Sequence, residues 1–305
     1  MKYYFSLQLR MLNRQLTDFG LHPVAGYFLL VLIYAGLSVY LFSKTEFAAY
    51  IYLVIAISFV MKLSETGRNG FMKTCFNAYD YYKIRMIENL LMALPFTFFL
   101  LFNLAFLTAA SLMIISGILV IFNSKSALNF AIPTPFLKRP FEFNIGFRNT
   151  FYVIFFAYFI TVMAVIAGNF NLGIFTLILI LFVCMTYYAE MENEFYVWIF
   201  SLSPNRFLIH KIQTAILFST LLCLPVFTGL SVFFPGNIGV LAGFQCLGYL
   251  YLITVVLAKY ADFPNKINLP QVLVIAFSIS FPPLLIGVIP FFYLKSVQKL
   301  NEILR

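Results

Sequence analysis

Charge is scarce in this chain. Of 305 residues, 20 are Lys or Arg and 11 are Asp or Glu, 10% in all, where an ordinary globular chain carries about 25%. Too little polar side chain remains to wet a soluble surface, which excludes a soluble enzyme. Histidine is scarcer still: His22 and His210 stand far apart, both are expected at a membrane boundary, and neither belongs to an H-E-x-x-H or Cys-His constellation. The four cysteines, Cys75, Cys184, Cys223 and Cys246, form no C-x-x-C pair and have no nearby His. That argues against a disulfide framework and a zinc site, and they read as small apolar residues. No G-x-x-x-x-G-K-[ST] run is present, so the chain has no P-loop of its own and any ATP energy must come from a partner. No cofactor is expected. The N-terminal stretch with Arg10, Arg14 and Asp18 is amphipathic rather than a charged-then-apolar leader, so it is expected to be retained.

Apolar residues take the remaining space: 62% are hydrophobic and 19% aromatic, with a mean hydropathy of +0.94. This composition predicts an all-α, polytopic helical bundle in a membrane. Between Asn149 and Ala189, and again between Ile212 and Ala258, no charge occurs. As single helices these runs would reach ~60 to 70 Å through a ~30 Å hydrocarbon layer, so each is expected to fold into a hairpin of two spans. The turns are placed at Gly168-Asn169-Phe170-Asn171 and at Pro235-Gly236-Asn237. The uncharged run Asn89 to Asn123 predicts a third hairpin with Asn103 near its middle, and Val24 to Ser43 with Phe47 to Met61 predicts a fourth, broken at Lys44-Thr45-Glu46. Eight spans follow. Ile267 to Leu294 offers a ninth, unless Pro282-Pro283 and Pro290 break it into a re-entrant segment. Placing the N-terminus in the cytoplasm puts nearly all Lys and Arg outside the tail on one side, with Lys44 opposite, as the positive-inside rule expects. The expected location is a membrane crossed several times, with the N-terminus on the cytoplasmic side. Basic loops facing anionic headgroups account for the net charge of +9 without nucleic acid.

A shift of 125 residues lays the first four spans on the second four in parallel, and pairs Glu65 with Glu190, Tyr82 with Phe207 and Arg85 with His210. The expected organisation is a cytoplasmic arm (1–23), a first four-span repeat (24–123), a cytoplasmic linker (124–148), a second four-span repeat (149–258) and a C-terminal apolar segment with a basic tail (259–305). Parallel repeats of this kind are frequent in transporters.

After the second span of each repeat comes a segment too charged to cross a bilayer and too aromatic to be merely solvated. The first contains Phe71, Tyr79, Tyr81 and Arg85; the second contains Glu190, Glu192, Phe200, Leu202, Pro204, Arg206 and Lys211. Each is expected to form a short interfacial helix, with Ser203 capping a helix that begins near Pro204 and runs into the seventh span. Aromatic and Arg side chains beside a rigid helix corner make good anchors for a soluble partner.

The string Glu190-Met191-Glu192-Asn193-Glu194, followed by Phe200-Ser201-Leu202-Ser203-Pro204-Asn205-Arg206 and Lys211, resembles the cytoplasmic segment of ABC type-2 exporter permeases. The duplicated layout is more similar to the Ecs-type B subunits and related multi-span permeases. The resemblance implies a coupling helix inserted into a cleft of a separate ATPase subunit, with Phe200, Leu202, Pro204 and Arg206 facing it and Glu190 and Glu192 close by. It also implies an exporter; the apolar, aromatic-rich interior with few charges favours lipid-like, peptide or other amphiphilic cargo over ions, and a second copy or a second permease is a further expected partner. A membrane-embedded lipid enzyme and a non-transporting assembly subunit are the competing readings.

Overall fold

The structure is a computed structural model and describes residues 2–122, 134, 136 and 141–304. The described residues form thirteen α-helices and two short 3-10 turns. Five stretches are long and apolar enough to cross a membrane: Pro23–Lys44, Ala78–Phe102, Glu142–Ile166, Pro204–Phe233 and Pro235–Ala261. This is a helical membrane protein. The chain divides into two compact units, one over 1–17 and 21–130 and one over 18–20 and 131–305.

The first unit contains α1 (Lys2–Asp18), α2 (Pro23–Lys44), α3 (Ala48–Lys62), α4 (Thr66–Cys75), α5 (Ala78–Phe102) and α6 (Phe106–Ile118). Its core is a set of helical stripes: Tyr52, Ala56 and Val60 of α3 meet Ala93, Phe96 and Leu100 of α5 and Ala109 and Leu112 of α6. A spacing of three or four residues puts each stripe on one helix face. α2 buries only Gly26 and Ser38, and most of its apolar surface points outward, as lipid-facing surface does. α1 is the predicted amphipathic arm. Its Tyr4 hydroxyl donates to Glu88 of α5 at 2.5 Å and accepts from Arg68 of α4 at 2.7 Å. Burial, with the Glu88 hydrogen bond second, pushes the Tyr4 phenol up to about 12.

The second unit contains α7 (Phe141–Ile166), α8 (Phe170–Thr186), α9 (Glu194–Trp198), α10 (Pro204–Phe233), α11 (Ile238–Ala261), α12 (Leu269–Ser280) and α13 (Leu285–Ile303). The expected turns fall where the sequence puts them. Asn169 accepts from the Leu172 amide and starts α8, and Pro235–Asn237 is a 3-10 turn between α10 and α11. Ser203 holds the N-cap position of α10 with Pro204 in the first turn, but its hydroxyl makes no capping bond. The linker expected over 124–148 ends sooner: α7 begins at Phe141, which brings Glu142 into its first turn. The rest of that linker lies largely outside the described residues.

No single helix spans Ile267 to Leu294. Asn268 and Gln271 form a capping box that starts α12, and α12 stops before a 3-10 turn at Pro282–Leu284. Its 12 residues reach about 18 Å, short of the ~30 Å hydrocarbon thickness. Tyr251 of α11 donates to the Ser278 carbonyl, and α13 then returns along α11, with Ser296 donating to the Leu257 carbonyl at 2.7 Å and Lys295 pairing with Asp262 at 2.9 Å. The segment is a helical hairpin whose two ends lie beside the same end of α11.

Helices of this unit approach closely at glycines, as small residues permit in membranes. A Cβ at Gly146 of α7 would run into the ring of Tyr187, whose hydroxyl shares a 2.7 Å hydrogen bond with Thr150. Gly146→Ala should therefore displace that ring and cost about 1–3 kcal/mol, read as a lower SDS-titration midpoint in detergent. An unchanged midpoint would mean that Tyr187 has room to move.

Candidate functional site

The second corner is built where α8 ends and α10 begins. After α8 the chain runs through Tyr187–Asn193, and Asn193 accepts from the Phe195 amide to start the single turn of α9. Val197 of that turn is fully buried, whereas Phe195, Trp198 and Ile199 are each more than half exposed, Trp198 at 62%. Ser201, with φ +48°, then reverses the chain into α10. The left-handed conformation costs a non-glycine residue about 1–2 kcal/mol, so the surrounding packing must hold it.

Beneath this corner lie four charges that come from four segments. Lys211 of α10 donates to Glu142 of α7 at 2.8 Å and to both oxygens of Glu192, at 2.9 and 3.0 Å. Lys259 of α11 donates to Glu192 at 2.9 Å and lies 3.5 Å from Glu142. The Tyr260 hydroxyl adds a hydrogen bond to Glu192 at 2.7 Å. Both lysines are wholly buried, each between two rings: Phe200 and Phe207 for Lys211, Tyr188 and Tyr260 for Lys259. Two acids and two bases cancel, which is what lets this group leave water. Burial alone would raise the Glu192 carboxyl, but the ammonium groups of Lys211 and Lys259 outweigh it and hold Glu192 well below the ordinary carboxylate range. The tetrad pins the ends of α7, α10 and α11 to the loop that carries α9.

The first unit has a corner at the matching place. α4 replaces α9, and Asn77 caps α5 through the Asp80 amide. Counting from the N-caps Asn77 and Ser203, the buried aromatics Tyr81 and Phe207 occupy the same helix position, and so do the buried cations Arg85 and Lys211. The structural register thus pairs Arg85 with Lys211, one residue away from the His210 that the sequence offset matched. Arg85 has no carboxylate within salt-bridge distance among the described residues. It bonds the Leu63 carbonyl, the Ser64 hydroxyl at 2.8 Å and the Leu119 carbonyl at 3.4 Å. Leu63 and Leu119 are the C-caps of α3 and α6, where the helix dipole concentrates partial negative charge.

The residues of the expected coupling segments divide into three groups by exposure. Phe71, Tyr79, Arg206 and Glu190 are exposed, and Glu190 makes only a 3.8 Å surface pair with Lys266. Phe200, Leu202 and Pro204 are half-buried. Glu192, Lys211, Tyr81 and Arg85 have inward-facing side chains, and Glu192 and Lys211 pair with each other beneath the corner. Glu142 and Lys259 were not singled out by the sequence, although Lys259 is the charge that ends the long apolar run from Ile212.

Among the described residues no group of three His, Cys, Asp or Glu could hold a metal ion. The tetrad's charges are engaged with one another, so its physical role is to fix helix ends. No family model matches the chain, and no curated protein or solved structure matches it.

Proposed function

We propose that this chain is the permease subunit of an ABC transporter, driven by a separate ATPase that grips the α9 corner and exporting an amphiphilic cargo. One observation carries the reading: an exposed apolar turn bearing Phe195, Trp198 and Ile199, followed by the exposed Arg206 in the first turn of α10, sits on a joint that a buried charge tetrad locks to three long helices. A push on such a corner moves the helices with it, because the ion pairs leave little slack. In this reading the five long helices cross the bilayer, the shorter α3, α6 and α8 complete their hairpins, α12 and the start of α13 re-enter, and both corners and both termini face the cytoplasm of a bacterial inner membrane. An apolar groove of about 530 Å³ along α8, α11 and α12, bordered by Phe182, Met185, Phe244 and Tyr251, suits lipid-like cargo.

Affinity capture of the tagged chain from native membranes, with the retained proteins sequenced, should return a P-loop ATPase. Trp198→Ala should weaken that retention about 30-fold or more, the effect of losing an aromatic anchor worth about 2 kcal/mol. Arg206→Glu should weaken it as well. Retention unchanged by both substitutions would remove the docking assignment.

A further inference from the structure

The two corners stand at equivalent places in their units, yet their chemistry differs. From Lys62 to Lys83 the bases Lys62, Arg68, Lys73 and Lys83 outnumber Glu65 and Asp80. From Glu190 to Arg206 the order is reversed on the surface, with the exposed Glu190 and Glu194 against Arg206, while Glu192 pairs with the buried lysines. One cleft chemistry would not suit both. At the first corner Phe71 and Tyr79 are 70% and 73% exposed, and Lys62, Lys73 and Lys83 are exposed around them. Lys73 lies 5.3 Å over the Tyr81 ring and Lys83 lies 5.7 Å over the Tyr79 ring. α1 packs against this corner through Tyr4, Met72 and Phe76, and extends the surface with the exposed Tyr3, Leu7 and Arg10.

We infer that the α1–α4 face of the first unit docks on the anionic lipid surface of the bilayer, leaving contact with a soluble partner to the α9 corner. Amphipathic segments that mix aromatic rings with Lys and Arg partition to the headgroup region, where the rings enter the acyl boundary and the bases meet lipid phosphates. Charge complementarity selects this occupant: a basic, aromatic surface beside apolar helices already has negatively charged headgroups as its neighbours. The α9 corner, acidic around its rings, would be repelled by the same headgroups.

The test uses the chain's own cysteines. Cys75 of α4 and Cys246 are exposed, whereas Cys184 and Cys223 are buried. A Cys246→Ser variant therefore allows an environment-sensitive fluorophore to be placed on Cys75. Reconstituted into phosphatidylcholine vesicles and into vesicles with added phosphatidylglycerol, the probe should shift to the blue and be quenched by brominated lipid in the anionic vesicles only. Raised salt should reverse both effects. Lys73→Glu with Lys83→Glu should shift the docked equilibrium by on the order of tenfold or more, at an unchanged melting midpoint. Identical spectra in the two vesicle types, or a Cys75 response that needs the ATPase instead of anionic lipid, would overturn the inference. A second probe on Ile199→Cys, in a background without Cys75, separates the two claims. It should respond to the ATPase and not to lipid charge, and its failure would count against the coupling assignment alone.

Discussion

Lys211→Met is expected to lower stability by about 3–5 kcal/mol, the range for removing one partner from a buried ion pair. The methionine would fill most of the space between Phe200 and Phe207, so packing is nearly conserved and the cost is electrostatic. Glu142 loses its 2.8 Å donor, Glu192 loses one of its two ammonium partners, and a buried net negative charge remains. Adding Glu142→Gln restores neutrality and should recover about 1 kcal/mol or more, a coupling that separated sites do not show. SDS titration of both variants, with hydrogen exchange over 142–150 and 187–193, would check this. A shift within about 0.5 kcal/mol would show that the tetrad does not hold the corner. The sign of the pH dependence follows from Glu192. Its carboxyl titrates lower in the folded chain than the ordinary value of 4.5, so its contribution is fully present above that value and is lost as the pH falls below it. The Lys211→Met variant should lose less stability than the parent over that acid range.

Arg85→Leu should cost about 3 kcal/mol and act on different helices. The guanidinium fork bonds the C-caps of α3 and α6 and the Ser64 hydroxyl at once. Its loss leaves those buried acceptors without their charged donor, each charge-assisted bond being worth about 1.5–3 kcal/mol. Exchange should rise over 60–64 and 116–121 while the tetrad segments stay protected. Arg85→Lys keeps the charge but not the fork, so it should recover only part of the loss. Equal exchange in the leucine variant and the parent would mean that α3 and α6 terminate without help from Arg85.

Much of this architecture was legible because membrane helices are bounded by local chemistry. Lys44-Thr45-Glu46, Asn103, Gly168-Asn169 and Pro235-Gly236-Asn237 interrupt apolar runs, and each lies at the junction of two helices in the structure. Pro282-Pro283 likewise announced the break in the last apolar segment. The tetrad was not legible, because Glu142, Glu192, Lys211 and Lys259 meet only when four segments pack. Nothing local distinguishes Glu192, which turns inward, from Glu190, which stays in water. The repeat was visible as a layout, but its register at the corners was not, because pairing Arg85 with Lys211 requires the N-caps of α5 and α10 as reference points. That Arg85 is satisfied by carbonyls where Lys211 is satisfied by carboxylates is a tertiary difference between two similar corners.

The proposed coupling requires a motor protein to grip the α9 turn. A photoreactive amino acid in place of Trp198, irradiated in membranes that contain the whole complex, reads that grip. One dominant adduct is expected, with peptides that include a P-loop sequence, formed at position 198 and not at position 71. Adducts to lipid alone at position 198, or to a protein without a nucleotide-binding sequence, would contradict it.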